Sequence, residues 1–126
     1  MSNRILVVDD DAGSLRGVVE LLKRSGYEAT GAGDFDEAKR VLTLDPPDLL
    51  IVDIRLGAFN GLHLVVRQRA QYPDRPIIVI TGFYDSLLEA EATRQGAVYV
   101  AKPIEPGAFL EMVAKMLPAE AHTSGN

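Results

Sequence analysis

The sequence predicts an α/β fold, a parallel sheet with helices on both faces. Three observations carry this. Apolar runs and segments of helical periodicity alternate five times along the chain. The strongest runs, "ILVV" (5–8), "LLIV" (49–52) and "IIVI" (77–80), lack polar alternation and read as strands buried on both faces. Each of them ends abruptly on a polar side chain: Asp9, Asp53 and Thr81.

"RILVVD" (4–9) is the first strand. "GSLRGVVELLKRSG" (13–26) puts Leu15, Val18, Val19 and Leu22 on one helical face, and Gly26 stops it. "YEATGAG" (27–33) is a short, weak strand. "DFDEAKRVLTL" (34–44) is a helix with Asp34 as N-cap and Glu37 at capping-box spacing. After the breaker "DPP", "DLLIVDI" (48–54) is a buried strand, and "NGLHLVVRQRAQY" (60–72) is a helix capped by Asn60. "PIIVITG" (76–82) is the fourth strand. "SLLEAEATRQG" (86–96) is a helix capped by Ser86 and stopped by Gly96. "AVYVAK" (97–102) is the last strand. "EPGAFLEMVAKML" (105–117) is the last helix, with Pro106 suited to its first turn and Met112 and Met116 facing the core.

The chain has 126 residues, which suits one domain. That domain is expected over residues 1–118, with a polar tail over 119–126. The absence of cysteine excludes disulfides, thiolate metal sites and a cysteine nucleophile. No apolar run approaches the ~20 residues that a bilayer crossing needs. The N-terminus lacks the basic and apolar regions of a signal peptide. No membrane partner and a cytoplasmic location are therefore expected. A net charge of −5 without a basic stripe argues against direct nucleic-acid binding.

In a sheet of this kind, ligands bind outside the carboxyl ends of the strands, at the switch point in strand order. Asp9 and Asp10 follow the first strand, Asp53 ends the third, Thr81 the fourth and Lys102 the fifth. Burial does not require polar residues there; a shared site does. Three clustered carboxylates stay ionised together only beside a cation. A hard divalent ion such as Mg²⁺ suits them. The formal charges balance: Asp9, Asp10 and Asp53 bring −3, and one Mg²⁺ with Lys102 brings +3. A metal, a lysine and a hydroxyl around one nucleophilic carboxylate are what phosphoryl transfer to aspartate requires.

With "ILVVDDD", "DLLIVDIRL…NGL", "PIIVITG" and "YVAKPI" in this order at strand ends, the sequence resembles a response-regulator receiver domain of two-component signalling, over about residues 4–117. The resemblance implies a flavodoxin-like sheet of strand order 2-1-3-4-5. It implies that Asp53 is the phosphoacceptor, that Asp9, Asp10 and Asp53 with the Arg55 backbone carbonyl hold Mg²⁺, and that Lys102 pairs with Asp53 and the phosphoryl group. Thr81 and Tyr99 match the switch positions, and Lys102–Pro103 matches a bond that is cis in this family. The implied function is a phosphorelay switch that takes its phosphoryl group from a histidine kinase or phosphotransfer protein. It is a switch rather than a turnover enzyme, catalysing only its own phosphorylation and dephosphorylation. Output, whether to a partner or a homodimer, is expected through residues 86–117, where Leu87, Leu88, Ala92, Val98 and Ala101 form an apolar seam.

The sequence departs from the family where Leu56 and Gly57 replace the usual Met-Pro after the acceptor, and where Asn60-Gly61 replaces Asp-Gly. The first change is expected to loosen the loop after Asp53. Gly82 leaves room for a phosphodonor. Arg55 and Phe83 stand at positions that tune phosphoryl lifetime in the family, and both are bulky. Asp11 reads as an N-terminal helix charge. His63 sits mid-helix without a partner histidine beside it, which argues against a metal ligand. Two alternatives are a pseudo-receiver that is never phosphorylated and an aspartate-nucleophile phosphatase. The phosphatase would carry a second Asp where this chain has Arg55.

Overall fold

The computed structural model describes residues 3–56 and 59–117. The expected tail and Gly57 lie outside the described residues. In chain order the elements are β1 (Arg4–Val8), α1 (Ala12–Arg24), β2 (Glu28–Ala32), α2 (Phe35–Leu44), β3 (Leu49–Asp53), α3 (Leu62–Gln71), β4 (Ile77–Thr81), α4 (Ser86–Arg94), β5 (Val98–Ala101) and α5 (Pro106–Met116). The five strands form one parallel sheet in the order β2-β1-β3-β4-β5. The chain thus runs outward from β1 to β2, then crosses back to β3. The switch point in strand order falls between β1 and β3.

Two apolar cores sandwich the sheet. Ile5, Val7, Ile51, Ile78 and Ile80 face α1 and α5, where Leu22, Phe109 and Val113 cover them. Leu6, Val8, Leu50, Val52 and Val79 face the other way, under Leu42 of α2, Leu64 and Val65 of α3, and Ala92 of α4. Every residue of β3 and β4 is buried, which is why both read as unbroken apolar runs. Met112 and Met116 pack on the α1/α5 core, partly buried.

The helix ends follow local chemistry. Asp11 is the N-cap of α1, its carboxylate accepting from Ser14 N. Hydrogen bonds from the Ser14 backbone and side chain hold the Asp11 carboxyl below the usual carboxylate range. Asp34 caps α2 as expected, but Glu37 completes a variant of the box: its carboxylate accepts from Gly33 N, one residue before the cap. The expected Ser86 cap is corrected to Asp85. Asp85 has the extended backbone of a cap and its carboxylate accepts from Leu87 N and Leu88 N, while Ser86 is already helical. The residue before α3 is Gly61, which has helical backbone and no side chain to cap with; the expected cap Asn60 stands one residue earlier, where its Oδ1 accepts from Leu62 N at 2.8 Å. Gly26 and Gly96, at φ +95° and +78°, end α1 and α4 in the left-handed region that glycine enters freely.

After Asp53 the chain makes a short antiparallel pairing, Arg55–Leu56 with Phe59–Asn60. The loosening expected from Leu56 and Gly57 is thus opposed at the flanks of the loop. Arg69 of α3 ties three segments together, donating to the carbonyls of Pro73, Arg75, Gln95 and Gly96.

Candidate functional site

Strand register assembles the site. Val8 pairs with Val52, so Asp9 and Asp53 follow side by side on β1 and β3. Thr81 pairs with Ala101, and the ladder continues with Lys102 N donating to Thr81 O at 2.8 Å. Lys102 therefore leaves β5 beside the same edge. Its ammonium lies 2.9 Å from Asp53 Oδ2 and 3.0 Å from Asp9 Oδ2. Asp9 and Asp53 are only 5% and 8% exposed, so this one cation separates two buried like charges.

The second oxygen of each carboxylate is also engaged. Asp9 Oδ1 accepts from Asp11 N, and Asp53 Oδ1 accepts from Arg55 N. Both are turns in which a carboxylate bonds the backbone two residues on, which fixes its orientation. Burial works to lower the Lys102 pKa, but hydrogen bonds and attraction from Asp53 and Asp9 outweigh it and leave the pKa raised.

Asp10 completes the cluster from the exposed side. One oxygen each of Asp9, Asp10 and Asp53 lies within 4.8 Å of the other two. A donor set made only of carboxylate oxygens, open to water on one side, fits a hard divalent cation that keeps part of its hydration. Because Asp10 is exposed, its repulsion is screened. Asp10→Asn is therefore expected to stabilise the metal-free protein by only about 0.5 kcal/mol. The same change is expected to weaken Mg²⁺ binding. Urea melts at matched pH with and without Mg²⁺ check both effects, and a metal-free variant less stable than the parent would contradict the repulsion account.

Thr81 is 1% exposed, and its hydroxyl is turned to the following loop. It donates to Phe83 O at 2.8 Å and accepts from Phe83 N at 3.1 Å. The half-buried Tyr99 accepts from Asp85 N at 3.4 Å and meets Tyr84 edge to face at 6.2 Å. Its hydroxyl therefore lies beside the start of α4. Arg55 stacks its guanidinium over the Phe83 ring, 4.4 Å from the centroid, so the bulky side chains two past Asp53 and two past Thr81 touch. Lys102–Pro103 is cis. His63 is exposed and meets only the edge of Phe35 among the ring contacts of the described residues.

Beyond its place in the Asn60-Gly61 motif, no local sequence signal points to the role of Gly61 in the site. Its N–H donates to Ile54 O, and a Cβ built there would lie 2.4 Å from Asp53 O and 2.9 Å from Val52 Cγ2. The backbone behind the Asp53 carboxylate thus has no room for any side chain at Gly61.

A family model described as the response regulator receiver domain matches residues 5–114. The chain belongs to this family. The receiver shares 32% identity with the alginate biosynthesis transcriptional regulatory protein AlgB of Pseudomonas aeruginosa, over 96% of this chain and 27% of that protein. It spans between 24% and 51% of the length of this and two other curated relatives it matches, FleR and VirG. Among solved structures, a CheY-like receiver domain protein from Methanospirillum hungatei matches with a TM-score of 0.89 and 27% identity, covering 98% of this chain and 99% of that one. A response regulator from Burkholderia pseudomallei, solved with a phosphorylated aspartic acid, a calcium ion and citrate, matches at TM-score 0.81 and 28% identity, covering 98% of this chain and 71% of that one.

Proposed function

We propose that this receiver is a phosphorylation-operated switch in which Asp53 takes a phosphoryl group from a histidine kinase or phosphotransfer protein. The single observation that carries the reading is the Lys102 ammonium seated between the Asp53 and Asp9 carboxylates, with Asp10 alongside. Asp53 Oδ attacks phosphorus, and the bond to the donor breaks. Lys102 neutralises the growing charge, and Gly82 leaves the approach open. Asp9, Asp10, Asp53 and the Arg55 carbonyl would hold Mg²⁺, which supplies further charge neutralisation when bound. The phosphorylated aspartate of the Burkholderia neighbour supports this assignment. The intact set of Asp9, Asp10, Asp53, Thr81 and Lys102 favours it over a pseudo-receiver. The domain reading is residues 1–118, and the setting is the cytoplasm; among the described residues no helix is long and apolar enough to cross a membrane.

The test is incubation with acetyl phosphate and Mg²⁺ followed by intact mass measurement. A phosphate adduct is expected, lost with chelator and absent in Asp53→Asn. An adduct that persists in Asp53→Asn would place the chemistry elsewhere.

Output follows from Thr81. A phosphoryl group on Asp53 offers its hydroxyl a charged acceptor, stronger than the Phe83 carbonyl it now bonds. Moving there gives up both bonds to the Phe83 backbone and opens space for Tyr99. The responding face is residues 86–117, read as a partner or homodimer surface with no direct nucleic-acid contact. Its apolar seam is narrower than the sequence suggested: Ala92 is buried and Leu88 half-buried, leaving Leu87, Val98 and Ala101, extended by the exposed Phe83 and Tyr84. Beryllofluoride titration followed by NMR is expected to shift the active-site loops and residues 86–117, with small shifts along α1 away from Asp10. Shifts confined to the active-site loops would remove this face from the mechanism.

A further inference from the structure

Asn60-Gly61 has no part in the chemistry of Asp53, yet it is a reactive pair in its own right. Asn60 is the only one of the chain's three asparagines that precedes a glycine. With no Cβ on the glycine to obstruct it, the glycine backbone nitrogen can attack the asparagine side chain. Asn60 is exposed, so water and hydroxide reach it. The folded turn nevertheless holds the pair in three ways. Asn60 pairs with Arg55 across the short antiparallel ladder. Gly61 N–H, the attacking group, donates to Ile54 O at 2.6 Å. The Asn60 side-chain carbonyl accepts from Leu62 N at 2.8 Å. Ring closure needs Gly61 N to lose its proton and turn onto Asn60 Cγ. The bond to Ile54 O must therefore open first, and the other two contacts resist the rotation.

The turn cannot exchange its glycine for a less reactive neighbour. A Cβ at Gly61 would lie 2.4 Å from Asp53 O. The packing that demands glycine behind Asp53 thus also keeps position 60 beside a glycine, and hydrogen bonds of the fold are what protect it.

We propose that Asn60 is a site of spontaneous deamidation that the folded turn holds shut, and that its isoaspartyl product disables Asp53. The second half rests on Asp53 being the phosphoacceptor. The step balances with water alone. Gly61 N gives its proton to hydroxide and bonds Asn60 Cγ; the Cγ–Nδ2 bond breaks, and ammonia leaves with a proton from water. Hydroxide then opens the resulting succinimide at one of its two carbonyls. Breaking the new N–Cγ bond gives aspartate at position 60 on an unchanged backbone. Breaking the original peptide bond gives isoaspartate, whose main chain runs through Cβ and Cγ and is one atom longer. The aspartate keeps an oxygen for Leu62 N and adds negative charge at the start of α3, which the helix dipole favours. The isoaspartate does not fit. With the Cα of residue 60 held opposite Arg55, the extra atom displaces Gly61 from its packed place against Asp53 O. Asp53 Oδ1 is held by Arg55 N in that same turn, so the carboxylate shifts with it.

The test ages the full chain in mildly alkaline buffer, folded and in guanidinium chloride. The tryptic peptide of residues 56–67 is followed by mass and chromatography, which separate asparagine, aspartate and isoaspartate. Conversion is expected to be about tenfold or more slower in the folded protein, since opening the turn gives up hydrogen bonds. Equal rates in the two states, or no conversion in guanidinium, overturn the first half. The isoaspartyl form is then resolved from refolded, guanidinium-aged protein by ion exchange. It is expected to lose about tenfold or more in Mg²⁺ affinity, as when a group orienting a metal ligand is removed, and to lose phosphorylation by acetyl phosphate in step. Asn60→Asp carries the charge without the longer backbone and is expected to stay within about twofold of the parent in both. An isoaspartyl form that fails to refold where Asn60→Asp refolds supports the same misfit. Parental Mg²⁺ affinity and phosphorylation in the isoaspartyl form, or an equal loss in Asn60→Asp, overturn the second half. No adduct on the unaged parent overturns the phosphoacceptor reading instead, and leaves the deamidation rates and Mg²⁺ affinities to decide the rest.

Discussion

Gly61→Ala is expected to lower stability by about 3 kcal/mol, at the top of the range for overpacking. The added methyl would sit 2.4 Å from Asp53 O and 2.9 Å from Val52 Cγ2. The nearest obstacle is backbone at the end of a fully buried strand, so it has no rotamer by which to yield. Relief must come from moving the turn at Ile54 or the end of β3. Either movement disturbs Asp53, whose carboxylate is held by Arg55 N in that same turn. The variant is therefore expected to lose Mg²⁺ affinity and phosphorylation rate as well as stability. Urea unfolding measures the stability, and Mg²⁺ titration of the folded fraction measures the affinity. A variant with parental stability and parental Mg²⁺ affinity would show that the turn adapts without strain.

Lys102→Met is expected to be costly in a different way. It keeps most of the side-chain volume but removes the cation between two carboxylates that are each less than a tenth exposed. Breaking a fully buried pair costs about 3–5 kcal/mol. Lys102 retains 24% side-chain exposure, so water screens part of that, and about 2 kcal/mol is the expected loss in metal-free protein. Mg²⁺ is expected to narrow the gap, since it answers the same charges. The pH dependence follows from the raised lysine pKa. A group whose folded pKa is raised contributes fully below its unfolded value, here near 10.5, and its contribution fades as pH rises through the folded value above that. The stability difference between parent and variant is therefore expected to be flat from pH 7 to 9 and to shrink only beyond about 10.5. A difference that already fell between pH 7 and 9 would mean that a group other than Lys102 carries it.

What the sequence made legible follows from where the physics is local or strongly periodic. β3 and β4 are buried on both faces, so their apolar runs had one reading. Asp9, Asp53, Thr81 and Lys102 were found because each interrupts or ends such a run, and register then brings them together. Helix caps are harder to place from sequence, because neighbouring candidates compete: Asp85 and Ser86 stand side by side, and only backbone conformation decides between them. The apolar seam lost Ala92 because helical periodicity gives a face but not which way the face turns. The Thr81 hydroxyl bonds, the Arg55–Phe83 stack and the tight fit at Gly61 depend on contacts between distant elements or on loop geometry. No local pattern encodes them.

The pairing of Lys102 with Asp9 spans 93 residues, and that with Asp53 spans 49. The first strand and the last are therefore both needed before Asp53 has its cation. On a growing chain, β1 and β3 can pair well before β5 has been made, which leaves Asp9 and Asp53 facing one another across an unfinished sheet. Contacts of such long sequence separation are closed late, after the loop entropy between them has been lost. The Asp9–Lys102–Asp53 arrangement thus waits until Lys102 has been made and β5 has joined the sheet, and a nascent or truncated chain that stops short of Lys102 leaves the two carboxylates without that cation however much of the sheet it has formed.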